Sequence, residues 1–90
     1  MRVALLCHDK PGHLQIRLDT RAAHLAHIQT SGVVEMAGPF LSAEGEMTGS
    51  LIVLNVETLA QAQDWAAADP YAQAGLFAQV TITEWKKVIG

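Results

Sequence analysis

The sequence predicts an α+β sandwich of order βαββαβ, and three observations lead there. Four segments read as strands: residues 2–7, 33–37, 50–56 and 76–85. Two read as helices, about 12–30 and 59–68, each bounded by breaker residues. The elements alternate so that each helix follows a strand and precedes another. The simplest compact solution is a ferredoxin-like sandwich, an antiparallel sheet with both helices on one face. Its strand order is 4-1-3-2, which leaves the second strand at an edge.

The first strand, "RVALLC", is an apolar run of strand length, broken by "HDKPG". Pro11 suits the first turn of a helix, where its missing N–H costs nothing. Asp9, between that strand and Lys10-Pro11, reads as a turn residue. Gly32 stops the first helix. "VVEMA" is the second strand, with Gly38-Pro39 at its end; proline cannot donate to a central ladder, which agrees with an edge. "SAEGEMTG" reads as a hairpin loop. "SLIVLNV" is the strongest strand, apolar on both alternating faces. Thr58 is a candidate N-cap for the second helix, and Pro70 stops it. In the last strand Leu76, Ala78, Val80 and Ile82 alternate with Gln79, Thr81 and Thr83.

Ninety residues, half of them apolar, make one domain over residues 1–90 with a small core. A net charge of −3 shows no basic footprint and argues against nucleic acid as a partner. The single Cys7 excludes an internal disulfide and reads as a buried thiol. No apolar run reaches the roughly 18 residues of a membrane span, and "VALLC" is too short for a signal peptide, so a soluble, cytoplasmic protein with no membrane partner is expected. Two helices cover only one face of a four-stranded sheet, and the 50–56 strand is apolar on both. A homodimer with the two sheets face to face, a dimeric α+β barrel, follows.

Along the first helix Arg17, Arg21 and His24 share a stripe at i, i+4 and i+7, nearly the stripe of Leu14, Leu18, Leu25 and Ile28. A solvated helix keeps charges away from its leucines, so this helix is expected to wall a cleft, its apolar edge on the sheet and its polar edge toward a bound anion. The topology gathers His8-Asp9, Arg17, Gly38-Pro39, Gly49-Ser50 and Asp69-Pro70-Tyr71 at one end of the sheet. Asp69, in the last turn of a helix, opposes the helix dipole and calls for another partner. His24 is the candidate, as a general base whose tautomer the carboxylate fixes. A structural ion pair explains the same two residues equally well on these grounds. Arg17 alone is expected to snorkel to solvent, whereas Arg21 lies nearer the leucines. His24-x-x-His27 has metal-ligand spacing, but His27 points about 60° away toward solvent and no third ligand is present, so neither metal nor cofactor is expected. Trp65, Phe77 and Trp85 read as core or dimer interface. Ser50 lacks a nucleophile elbow, and its hydroxyl is read as a substrate ligand.

The pieces "HDKPG", "RLDTRAAHL", "AGPF", "TGSLIV", "AQDWAAADPYAQAGLF" and "VTITEWKKV" span nearly the whole chain. In this order they resemble the YciI family of small bacterial proteins. The resemblance implies a dimeric ferredoxin-like fold and a site centred on a histidine and an aspartate, which map to His24 and Asp69. Arg17, Arg21 and Ser50 match positions that line the family's pocket, and Tyr71 of the D-P-Y segment is counted with them as substrate-binding. One branch of the family is associated with dehydrochlorination of chlorinated aromatic rings, which implies lyase- or hydrolase-like chemistry on a small anionic or phenolic molecule. In an enzyme without a cofactor, His24 is the base, Asp69 orients it, and Arg21 with Ser50 holds the substrate. The alternative is a non-catalytic dimer that binds a small acid or scaffolds a pathway. The first requires His24 and Asp69 within hydrogen-bond reach in a cleft; the second needs only a pocket.

Overall fold

The computed structural model describes all residues 1–90. The elements are β1 (Arg2–Asp9), α1 (Leu14–Ser31), β2 (Val34–Leu41), β3 (Met47–Asn55), α2 (Leu59–Ala68), α3 (Pro70–Gln73) and β4 (Phe77–Trp85). The sheet order is β2-β3-β1-β4 with every neighbour antiparallel, the expected ferredoxin-like topology. None of the helices is long and apolar enough to cross a membrane.

Alternation along β1 and β3 sets the two faces of the sheet. Val3, Leu5 and Cys7 point to the helices together with Ser50, Ile52 and Leu54. With Val56, Ala62 and Trp65 most of these form the core, against which Ile28, Phe77 and Ile82 pack. Ala4, Leu6, Leu51 and Val53 point to the other face, which no element covers. Trp65 is therefore core, whereas Trp85 is half-exposed at the end of β4.

Local chemistry explains the boundaries, including four that differ from expectation. Helix α1 begins at Leu14 rather than near 12, because Gly12 adopts a left-handed φ of +74° that ends the preceding turn. Pro11 therefore lies in that turn and not in the helix. Gly32 closes α1 as expected, with a left-handed φ and its N–H on the Ile28 carbonyl. Strand β2 continues through Gly38-Pro39 to Leu41, because on an edge the missing N–H of Pro39 breaks no ladder. The hairpin loop shrinks to residues 42–46, held by Ser42 N–H on the Glu46 carbonyl at 2.8 Å, so Gly49 and Ser50 lie inside β3. At Gly49 the backbones of β1 and β3 come so close that a Cβ would collide with the Cys7 carbonyl oxygen. Thr58 caps α2 by accepting from Gln61 N–H, a cap that contributes about 1 kcal/mol. Pro70 ends α2 but starts α3, and Asp69 caps that short helix by accepting from Tyr71 N–H.

Candidate functional site

Helix α1 turns Arg17 and His24 inward and leaves Leu18 and Leu25, expected against the sheet, at the surface. Arg17 is 3 % exposed and His24 6 %, while Leu18 and Leu25 remain 47 % and 43 % exposed. Arg17 and His24 lie two turns apart and point between α1, β3 and α3. Arg17 does not snorkel: its Nε donates to Asp9 Oδ2 at 2.7 Å and its Nη2 to Asp9 Oδ1 at 2.8 Å. Nη2 also donates to Ser50 Oγ at 3.0 Å. Burial works against the guanidinium charge, but the hydrogen bonds and negative charge of Asp9 outweigh it and raise the Arg17 pKa. Asp9 is thus a buried counter-ion rather than a turn residue. A buried arginine demands a paired carboxylate, and that requirement is the signal in the sequence that identifies Asp9 once Arg17 is known to be inside.

The His24–Asp69 pair forms as expected. His24 Nδ1 lies 2.8 Å from Asp69 Oδ1, and Asp69 is 1 % exposed. A carboxylate can only accept, so Nδ1 carries a proton, and in the tautomer this fixes, Nε2 is the acceptor. The same Oδ1 accepts from Tyr71 N–H at 3.0 Å, so the α3 turn that caps the helix also fixes the carboxylate. No protein group hydrogen-bonds to Nε2, yet no enclosed side-chain nitrogen or oxygen lacks a partner. Nε2 therefore opens on the cavity that His24 lines.

Tyr71 lies between the two buried residues of α1. Its ring stacks on His24 at 3.9 Å between centroids, and Arg17 Cζ sits 4.8 Å from the same centroid. Phe77 meets the Tyr71 ring edge-on. Burial raises the Tyr71 pKa, so its hydroxyl stays a neutral donor in the physiological range. Cys7, on the strand below Ser50, has its thiol pushed up to about 12, first by burial and then by the nearby Asp69 charge, which leaves it inert. His27 does not face solvent. Its ring packs on Trp65 with centroids 4.5 Å apart and its Nε2 donates to the Trp65 carbonyl at 3.2 Å, which ties α1 to α2. The helix pair His24 and His27 thus faces two different neighbours, and no cluster of three metal-ligating side chains forms.

A cavity of about 150 Å³ lies between α1 and the β2 edge. Arg17, Arg21, His24, Ser50 and Tyr71 all line it, so the geometry gathers every expected binding residue around the imidazole. Asp9 and Asp69 stand behind them and do not reach its wall. Arg21 differs from Arg17 in having no carboxylate partner. The pocket therefore offers donors, one free cation and one basic nitrogen, with no acidic side chain in its lining. Such a wall suits an anion or an ionisable hydroxyl.

A family model described as the YCII-related domain matches residues 1–86. The chain belongs to the YCII-related family. Protein YciI of Escherichia coli O6:H1 is 36 % identical over 97 aligned positions, covering 98 % of this chain and 99 % of that protein. A protein of Haemophilus influenzae matches at the same identity and coverage. Among solved structures, the 5-chloro-2-hydroxyhydroquinone dehydrochlorinase of Burkholderia phenoliruptrix AC1100, in complex with 2,5-dihydroxybenzoquinone, superposes with a TM-score of 0.89. It is 34 % identical, over 96 % of this chain and 94 % of that one. An antibiotic biosynthesis monooxygenase superposes with a TM-score of 0.56 at 11 % identity and shares the fold alone.

Proposed function

We propose that this YCII-related protein is a cofactor-independent enzyme of dehydrochlorinase-like type, in which His24, oriented by Asp69, acts as the general base on a small phenolic or anionic ring. The observation that carries the reading is the imidazole itself. One nitrogen is tied to a buried carboxylate while the other opens on a cavity of donors. Arg21 supplies the free positive charge for a phenolate, Ser50 and Tyr71 present hydroxyls, and Arg17 holds Ser50 while its own charge is spent on Asp9. The 34 %-identical neighbour, a dehydrochlorinase bound to a dihydroxybenzoquinone, supports a ring of this class.

The chemistry fits one base. In a chlorinated trihydroxybenzene, removal of a hydroxyl proton lets the oxygen become a carbonyl while the proton returns to the ring carbon that bears chlorine. Loss of a second hydroxyl proton then drives electrons through the ring, and the carbon–chlorine bond breaks. The products are a hydroxyquinone and HCl, with no oxidant required. Both transfers need a group that accepts and returns a proton at one position, as His24 Nε2 does. Arg21 stabilises the oxyanion between them.

The working unit in this reading is a homodimer formed through the uncovered sheet face. Leu6, Leu51, Val53 and Phe40 lie on that face, and Met36 there is half-exposed. The charges at its end, Arg2 and Glu35, pair with each other at 2.7 Å. An isologous contact sets a patch against its own copy, so a patch without net charge avoids self-repulsion.

The test is chloride release from 5-chloro-2-hydroxyhydroquinone. His24→Ala and Asp69→Asn should each abolish it, and the double variant should be no worse than either single, as for residues that act as one unit. Full activity in either single variant, or no turnover and no ring binding by the parent protein, would remove the proposal.

A further inference from the structure

The cavity and the rim beside it make different demands on a ligand. At about 150 Å³ this partly open cavity matches a volume known to hold one benzene ring, so a six-membered ring fills it. The buried part of its lining combines the polar side chains of His24, Ser50 and Tyr71 with Ile52. The less buried part of the lining is formed by Arg21 and the apolar Leu25, Ile28 and Met47. Leu25 is 43 % exposed, so the apolar lining continues onto the surface. About two helical turns back along α1, Leu18 continues the same stripe at 47 % exposure, with Arg21 between the two leucines in sequence. A helix that needed only to cover the sheet would turn these leucines inward; here Arg17 and His24 occupy that side.

We propose that the preferred substrate is a hydroxylated six-membered ring carrying an apolar substituent, with the ring in the cavity and the substituent along Leu25 and Leu18. The inference rests on the ring-binding reading above and adds the substituent. Donors and the basic nitrogen hold the ring hydroxyls, Arg21 holds the ionised oxygen nearest the mouth, and the apolar arm covers leucine surface that the fold leaves wet. No hydrogen bond is lost in placing an alkyl arm there, because Leu18 and Leu25 present only side-chain carbon.

The probes are 2,5-dihydroxybenzoquinone and the same ring with a butyl group at a free ring carbon, titrated calorimetrically into the full chain. A half-buried methylene strengthens binding about twofold, so four carbons predict a gain on the order of tenfold for the butyl ring. Leu18→Ser and Leu25→Ser should each reduce the ratio of the two affinities, and the two together should bring it near one. That ratio cancels any general change in stability or in ring binding. If the parent ring binds and the butyl ring binds no tighter, the proposal is overturned while the ring site stands. Failure of both rings to bind overturns the ring site and this inference together. A tenfold gain that survives both serine variants also overturns the assignment, since it would place the arm elsewhere.

Discussion

The Arg17–Asp9 pair is the part of the site where the energetics can be worked furthest. Both side chains are almost fully enclosed, at 3 % and 7 % exposure, and are joined by two hydrogen bonds at 2.7 and 2.8 Å. In Arg17→Met the Asp9 carboxylate is left buried without its cation. In Asp9→Asn the guanidinium keeps only neutral partners, Ser50 Oγ and the Tyr71 ring. Breaking a buried pair from one side costs about 3–5 kcal/mol. A domain of this length draws on a total at the lower part of about 5–15 kcal/mol, so each single variant should lose most of its stability. The double variant removes both charges, and its loss should fall short of the sum of the singles by about 2–3 kcal/mol. Urea denaturation followed by circular dichroism at low and at 1 M salt measures the whole cycle. Because the pair is shielded from solvent, the coupling should persist in high salt. Additive single variants, or coupling that vanishes at 1 M salt, would refute the view that Asp9 neutralises a buried arginine.

Gly49→Ala should be severely destabilising, read as a fall in Tm or loss of folded material, because the new methyl meets backbone rather than a movable side chain. Cys7 supplies a pH test. An unfolded thiol ionises near pH 8.5, whereas the folded one holds its proton to about 12, so between those values the folded state binds more protons and stability falls as pH rises, by at most about 1.4 kcal/mol per pH unit. Cys7→Ala should remove that slope in urea titrations across the range, and a slope unchanged by the substitution would be the contrary result. Sedimentation at micromolar concentration should give twice the 9.7 kDa chain mass, and Val53→Asp, which sets a carboxylate in the middle of the uncovered face, should give monomer or unfolded chain. A parent protein that stays monomeric at high concentration would contradict the dimer.

The topology was legible in the chain, because it depends on features that are local in sequence. Strand and helix periods, Gly32 as a stop, Thr58 as a cap and Pro39 as an edge marker each act within a few residues, and together they leave one compact order for the sheet. His24 and Asp69 could be paired because that order brings the end of α2 beside α1. Element ends were less legible: Pro11 and Pro39 tolerate more than one backbone setting, and Gly12 and the edge position of β2 selected among them.

What only the folded chain decided is which side of α1 faces inward. Arg17 and the leucines lie within about 100° of the helix circumference, and the periodicity cannot say which of two neighbouring stripes is buried. The cost of enclosing Arg17 depends on a carboxylate eight residues away on another element, and Asp9 reaches it only when β1 and α1 are in place. The Tyr71 ring between Arg17 and His24 likewise exists only after α3 has docked, since no spacing in the chain relates position 71 to position 24. A long-range partner changes the sign of a burial free energy, and that sign was set here by tertiary contacts rather than by the residue's own polarity.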